Sequence, residues 1–167
     1  MNIIQIEKLS EKKSVSELFK ELFPEEECPF YGGYGYAEND LVSIDATSEF
    51  QGISLETQFI RARCYAELNL QSNNGQTYEV IHVDKKNQQL VKLDEKTVDV
   101  VEYTVIAIPS DILSELKKDF NTYNPYLNKE EIKNKFFEKL DAASVMYDTK
   151  AYFDISNFFG KIFHQNH

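Results

Sequence analysis

The sequence predicts an α+β domain in which helices flank a central antiparallel sheet. Apolar residues recur at helical spacing after Ser14, apolar and polar residues alternate from Ile60 to Leu70, and helical spacing returns after Pro109. Because helical and strand segments are segregated along the chain, a doubly wound α/β fold is disfavoured. No repeat or long linker interrupts the chain, so one globular domain over residues 1–167 is predicted.

The first predicted element is an amphipathic helix that begins after Ser14. Ser14 and Glu17 have the spacing of a capping box, in which each side chain bonds a backbone N–H at the helix start. A proline cannot continue a helix, so Pro24 ends it. The apolar residues that follow the cap lie on one helical face: Val15, Leu18, Phe19, Leu22 and Phe23.

Residues 28–52 show no regular period. The first part contains Pro29, three glycines and three tyrosines, which predicts a long surface loop. A short apolar patch within this segment predicts one short strand, carried by Leu41, Val42 and Ile44.

The central sheet is predicted to be a meander of about four strands. Strict alternation over residues 60–70 predicts the first strand, with one face exposed to water. The residues Asn73, Asn74 and Gly75 tolerate positive φ and predict a hairpin turn after it. The next three strands are predicted at residues 77–83, 90–93 and 97–108. Turns are predicted between them, at residues 85–88 and 94–96. A phase shift between Val100 and Val101 predicts either a bulge or a strand covered on both faces.

Helices are predicted again after the sheet, packed on one of its faces. Ser110 can cap a helix that carries Ile112, Leu113 and Leu116. A second helix is predicted to begin within residues 128–131 and carries Ile132, Phe136 and Leu140. A final helical segment is predicted from the spacing of Ile155, Phe158, Phe159, Ile162 and Phe163.

The charge balance limits the classes of partner. The chain has 28 acidic and 18 basic residues and a net charge of −10. Such a surface repels nucleic acid and anionic membranes and attracts basic proteins. The first residues do not resemble a secretion signal and no apolar run approaches the ~20 residues of a membrane span, so we expect a cytoplasmic protein. Cys28 and Cys64 are expected to be unpaired thiols in a reducing compartment.

A tyrosine-rich segment flanked by carboxylates is the candidate partner-binding site. Aromatic rings beside carboxylates suit docking onto arginine and lysine. The candidate contact residues are Glu25, Glu26, Glu27, Tyr31, Tyr34, Tyr36, Glu38 and Asp40. The segment lacks the signatures of a phosphate loop. The alternative interpretation is a surface loop with one or two tyrosines tucked into the domain.

Other chemistry-bearing residues favour structural roles. His82 is predicted to pack or hydrogen-bond across strands, since no nucleophile motif accompanies it. Arg61 and Arg63 are expected to share one face of the first strand and to pair with carboxylates of a neighbouring strand. Asp40 with Asp45 or Glu49 is a conceivable acid–base pair, but spacing alone does not select it. We expect no metal site and no bound cofactor.

These features together favour a non-enzymatic protein that binds and neutralises a basic partner. By analogy of charge and size, this is the role of an immunity protein that inhibits a secreted bacterial nuclease toxin. We expect a monomer or a weak homo-oligomer. The alternatives are a small cytoplasmic hydrolase or transferase with a carboxylate and histidine pocket, and an adaptor subunit.

Overall fold

The structure is a computed structural model that describes residues 1–9, 13–70, 75–123 and 130–160. It contains four helices and a mixed sheet of six strands, which confirms the α+β class. In chain order the elements are β1 Asn2–Ile3, α1 Val15–Leu22, β2 Phe30–Gly32, β3 Val42–Ile44, α2 Glu49–Leu70, β4 Tyr78–Leu93, β5 Lys96–Pro109, α3 Ser110–Tyr123, α4 Glu130–Ala143 and β6 Val145–Asp154.

The sheet is mixed, so the predicted antiparallel meander is wrong. Its strand order is β2-β3-β6-β5-β4, and β1 pairs with β6 as well. The pairs β2–β3, β4–β5 and β5–β6 are antiparallel. β3 and β1 both run parallel to β6, along the same edge but at opposite ends of that strand. β6 was not predicted, although it is the strand that joins the two halves of the sheet.

The helix predicted after Ser14 and the short strand are both present, although the chain begins with β1 and not with a helix. The Ser14 side chain accepts from the Glu17 N–H, and the Glu17 carboxylate accepts from the Ser14 N–H, which completes the capping box. Val15, Leu18 and Phe19 of α1 are buried. The apolar patch around Val42 forms β3.

The segment predicted as the first strand is helical, which is the largest correction to the sequence analysis. Residues 60–70 are the second half of α2, a helix of 22 residues. The helix buries more than half of its circumference, so buried side chains fall on two stripes of i, i+4 spacing, one at each edge of the buried arc. Ile60, Cys64 and Leu68 form one stripe, and Ala62 and Ala66 form the other. Interleaved in sequence, the two stripes imitate the alternation of a strand.

The main core lies between one face of the sheet and the helices α1 and α2. A chain of aromatic rings crosses it, since Phe30 stacks against Phe19 and Phe59 with centroids 4.9 and 5.2 Å away. Phe59 in turn meets Phe153 of β6 at 5.7 Å. Val98 and Ile108 point to the other face of β5 by strand parity and are also buried. β5 is therefore covered on both faces, as one of the two interpretations of its phase shift predicted.

The predicted turns have mixed outcomes. The turn at residues 94–96 is confirmed, and Asp94 adopts a positive φ of 54° within it. The turn predicted at residues 85–88 is wrong, because β4 runs through this segment with register shifts beside Ile81 and Lys86. The predicted hairpin at residues 73–75 does not join two strands, since α2 precedes it; residues 73 and 74 lie outside the described part of the chain.

The C-terminal predictions are confirmed in part. α3 begins at Ser110, and α3 and α4 both contact β5. The predicted start of α4 at residue 128 lies outside the described residues. Of the predicted final helix, residues 156–160 form a turn, in which Phe159 N–H donates to the Ile155 carbonyl at 2.9 Å. Residues 161–167 of that segment lie outside the described ranges.

Gly52 lies where α2 packs against Phe158, in the turn that follows β6. A methyl group at this position would lie 2.3 Å from the Phe158 ring, which is itself buried. We expect Gly52→Ala to lower the free energy of unfolding by about 1–3 kcal/mol, because overpacking outweighs the helix propensity of alanine. Chemical denaturation measures this change. Ser54→Ala, an exposed change in the same helix, is the control, and a more stable Gly52→Ala protein would contradict the packing.

Candidate partner-binding surface

Asp40 folds the tyrosine-rich segment into a compact loop between β2 and β3. Its carboxylate oxygens accept from the backbone N–H groups of Tyr34 and Tyr36, each at 3.0 Å. The Gly33 N–H donates to the Leu41 carbonyl at 2.8 Å. Asp40 is therefore occupied in shaping the loop.

Two of the candidate tyrosines point into the domain. Tyr34 is 5% exposed and donates its hydroxyl hydrogen to the Lys13 carbonyl at 2.8 Å. The Tyr36 hydroxyl donates to Glu67 at 2.7 Å and accepts from the Leu9 N–H at 3.0 Å. These two rings thus tie the loop to the N-terminal segment and to α2, which is the alternative interpretation that the sequence left open.

The remaining candidates are exposed but lie on different surfaces. Glu38 is at the tip of the loop, and Glu25, Glu26 and Glu27 lie between α1 and β2. Tyr31 follows the buried Phe30 on β2, so strand alternation directs it to the face of the sheet away from α1 and α2. The structure does not bring the eight predicted residues together on one surface.

The exposed face of α2 carries apolar and aromatic side chains that the sequence analysis missed. Phe50 is 85% exposed and Ile53 is 56% exposed. Thr57, Arg61 and Tyr65 continue the same helical face and are also exposed. Phenylalanine, tyrosine, isoleucine and arginine at such a face are more typical of an interface than of an ordinary solvated helix.

The acidic segment Glu25–Glu27 borders this helical face. The Gln58 side-chain amide donates to the Glu26 carboxylate at 3.0 Å, which holds the segment beside the middle of α2. The Asp45 N–H donates to the Pro29 carbonyl at 2.8 Å, which places Asp45 at the same end of the β2–β3 pair. We call the surface formed by Phe50, Ile53, Glu25–Glu27, Asp45 and Glu49 the α2 corner.

A buried ion pair lies on the opposite side of α2. Arg63 is 1% exposed, and its Nε lies 3.3 Å from Oε1 of the buried Glu67 but outside hydrogen-bond geometry. The terminal guanidinium nitrogens donate to the Tyr34 carbonyl at 2.9 Å, to the Thr149 hydroxyl at 2.8 Å and to the Lys150 carbonyl at 2.9 Å. Arg63 therefore joins α2 to the β2–β3 loop and to β6.

This network corrects the prediction for the two arginines. On a helix, residues two positions apart do not share a face, so Arg61 is exposed while Arg63 is buried. The partner of Arg63 is Glu67 of the same helix, not a carboxylate on a neighbouring strand. Burial raises the pKa of Glu67, although Arg63 and the hydroxyls of Tyr36 and Tyr147 oppose the shift.

A second polar cluster lies between α2 and the strands β4 and β5. Glu56 and Asp99 are both buried, and the Gln88 amide donates to one Asp99 oxygen. The other Asp99 oxygen is buried without a hydrogen-bond partner. Burial, reinforced by the Asp99 charge, raises the pKa of Glu56 to about 8, so Glu56 is protonated at neutral pH.

The other candidate groups have ordinary positions. His82 is exposed on β4, the outer strand of the sheet. Asp40 closes its loop, whereas Glu49 accepts from the Gly160 N–H at 2.8 Å. Cys28 and Cys64 are free, and burial raises the pKa of the Cys64 thiol to about 12, which keeps it protonated and unreactive. Within the described residues, histidine, cysteine and carboxylate side chains form no group of three that could hold a metal ion.

Comparisons with known proteins add no relatives. No family model, curated protein or solved structure matches the chain. Over the described ranges, no helix has the length and apolar character that a membrane crossing requires.

Separate substitutions of Arg63 and of its neighbour Arg61 test the contribution of the buried ion pair to stability. Arg63→Met leaves Glu67 charged and buried, so we expect it to lower the free energy of unfolding by about 3–5 kcal/mol. Arg61→Met, on the exposed face, is expected to change it by less than about 0.5 kcal/mol. Denaturant unfolding compares the two. Adding Glu67→Gln to Arg63→Met is expected to restore part of the loss; equal effects of the two arginine changes would contradict the network.

Glu56 makes stability depend on pH. Its folded pKa of about 8 lies above its ordinary value, so its stabilising contribution is complete below about pH 4.5 and is lost as pH rises through 8. The loss is at most about 1.4 kcal/mol per pH unit. We expect Glu56→Gln to remove this loss, so that the fall in Tm between pH 5 and pH 8 becomes smaller. Glu95→Gln, an exposed change, is the control; an unaltered pH profile in Glu56→Gln would exclude the raised pKa.

Proposed function

We propose that the protein binds a basic protein partner through the α2 corner and neutralises it, in the manner of an immunity protein that inhibits a secreted bacterial nuclease toxin. The proposal rests on the exposure of Phe50, at 85%, near the start of a helix whose middle contacts the acidic segment through Gln58 and Glu26. Within the described residues, a large ring exposed to this extent has no role in the core. It is suited to fill a pocket on a partner.

Phe50 and Ile53 supply the apolar part of the interface. Full burial of a phenylalanine or isoleucine side chain contributes about 1.5–3 kcal/mol. Both side chains project from a helix whose other side is packed into the core, so they enter an interface already ordered. Preorganisation of this kind reduces the entropy that binding costs.

The carboxylates supply attraction and orientation. The chain carries a net charge of −10, and the exposed residues Glu25, Glu26 and Glu27 are held against the middle of the same helix by the bond from Gln58 to Glu26. The negative electrostatic field raises the association rate of a basic partner, and this attraction weakens as the salt concentration increases. The apolar contacts do not depend on charge, so they maintain the complex at moderate salt. Occlusion of a nuclease's cationic active-site groove by such a surface would block its access to nucleic acid.

The proposal is tested by affinity capture with matched variants. The immobilised protein is incubated with a nuclease-treated lysate of the source cell, at low and moderate salt, and retained proteins are identified by mass spectrometry. One variant combines Phe50→Ala with Ile53→Ala, and a second combines Glu25→Lys, Glu26→Lys and Glu27→Lys. The controls are Leu90→Ala and the triple change Glu79→Lys, Asp84→Lys and Glu95→Lys, all at exposed positions of β4 or its hairpin.

We expect one basic protein to be retained at moderate salt by the wild type and by both controls. Each α2-corner variant is expected to bind it at least about thirtyfold more weakly, the effect of losing a hot spot of about 2 kcal/mol. Undiminished retention by both α2-corner variants would refute the proposed surface. Retention of nothing by the wild type would refute the binding function.

A further inference from the structure

A break in strand pairing occurs along one edge of β6. At the start of β6, Asn2 N–H donates to the Ser144 carbonyl at 2.9 Å and Ile4 N–H to the Met146 carbonyl at 3.0 Å. At its far end, Tyr152 N–H donates to the Gly35 carbonyl at 3.0 Å. β1 leaves the edge at one side of the break and the β2–β3 loop joins it at the other.

Strand parity identifies the groups that the break exposes. Residues 144, 146 and 152 direct their backbone groups to this edge, so Asp148 and Lys150 do the same. The Lys150 carbonyl accepts from Arg63 at 2.9 Å. Within the described residues, the Asp148 N–H, the Asp148 carbonyl and the Lys150 N–H have no backbone or side-chain partner on this edge. Asp148 and Lys150 are exposed, and unpaired backbone groups along an exposed strand edge are a template for another strand.

These groups face a cleft of about 560 Å³. The segment from Ile3 to Lys8 forms its opposite wall, because the chain leaves β6 after Ile4 and returns to the domain at Leu9, whose N–H donates to Tyr36. Tyr36, Glu67 and Tyr147 line its floor. The volume lies within the range of binding clefts.

The polar groups of the floor are engaged within the protein, and the wall combines polar residues, among them Glu7 and Lys8, with the apolar Ile3. Glu67 is already engaged by Arg63, Tyr36 and Tyr147, and Lys150 pairs with Glu102 at 2.7 Å. On the wall, the Ile3 side chain is 81% exposed. The cleft thus offers backbone donors and an acceptor at strand spacing, and an apolar contact beside them.

We propose that this cleft binds an extended peptide segment, which pairs its main chain with Asp148 and Lys150 of β6. The residues from 146 to 152 span roughly 20 Å, and the open stretch accommodates about two or three residues of a ligand strand. Main-chain pairing supplies the affinity in this mode, and the side chain that meets Ile3 supplies selectivity. The site is separate from the α2 corner and does not depend on the function proposed for it.

The test uses NMR of the full chain with two capped tripeptides as probes. The first is acetyl-Val-Thr-Val-amide, and the second is the same peptide with every backbone nitrogen methylated, which keeps the side chains but removes the hydrogen-bond donors. We expect saturable shifts of the Asp148 and Lys150 amide signals with the first probe. The methylated probe is expected to bind at least about fivefold more weakly, the effect of one lost hydrogen bond. Equal binding of the two probes, or no saturable shift with the first, would overturn the proposal.

A pair of variants at one position adds a second readout. Lys150→Pro removes the Lys150 N–H, whereas Lys150→Ala removes the same side chain and its ion pair but keeps the N–H. Thermal unfolding confirms that each variant is folded. We expect Lys150→Pro to bind the first probe at least about fivefold more weakly than Lys150→Ala. Equal affinities of two folded variants would overturn the proposal, and if Lys150→Pro does not fold, the comparison of the two probes on the wild type decides.

Discussion

The Arg63 guanidinium is the group on which the arrangement of this protein depends. A guanidinium that is removed from water must be matched by acceptors in fixed positions, or the folded state loses several kilocalories per mole. The acceptors come from two separate parts of the chain, the Tyr34 carbonyl and the Thr149 hydroxyl with the Lys150 carbonyl, and the Glu67 carboxylate supplies the opposite charge. One side chain therefore fixes the position of the β2–β3 loop, β6 and α2 relative to one another.

The tyrosines around the Arg63 guanidinium connect it to the N-terminal segment. The Tyr36 ring lies 4.7 Å from the guanidinium carbon, and its hydroxyl connects Glu67 with the Leu9 backbone. Tyr147 donates to the second Glu67 oxygen at 3.2 Å. The bond to Tyr36 thus holds the end of the N-terminal segment, and the cleft lies between this segment and β6. Stability and the proposed peptide site share one set of contacts.

The sequence predicted those parts of the fold that local chemistry determines. The capping box at Ser14, the turn at Asp94 and the helix start at Ser110 depend on neighbouring residues alone, and all three are present. α2 was misassigned because its buried arc contains Arg63 and Glu67, which periodicity analysis counts as solvent-facing residues. Once charges are buried, the apolar stripe of a helix no longer shows its 3.6-residue period. β6 was missed because its pairing with β5 and β1 links distant parts of the chain.

Long-range packing, which the sequence does not reveal, also determines which candidate site residues are exposed. Composition predicted the tyrosine-rich segment as the binding site, but Tyr34 and Tyr36 form hydrogen bonds inside the domain, and Asp40 bonds the backbone of their loop. Phe50 and Ile53 carry no sequence signal of exposure, since an apolar residue in a helix is usually buried. Only the packing of α2 shows that these two side chains point outward while Phe59 and Ile60 point into the core. Of the predicted residues, Glu26 contacts the same helix, through Gln58.

Hydrogen–deuterium exchange of the protein, alone and bound to its captured partner, tests whether the α2 corner is the binding surface. We expect binding to add protection to the segment Glu25–Glu27 and to the first turns of α2, around Phe50 and Ile53. We expect no added protection at the hairpin between β4 and β5, at one edge of the sheet. Added protection at that hairpin, with none at the start of α2, would exclude the α2 corner as the binding surface.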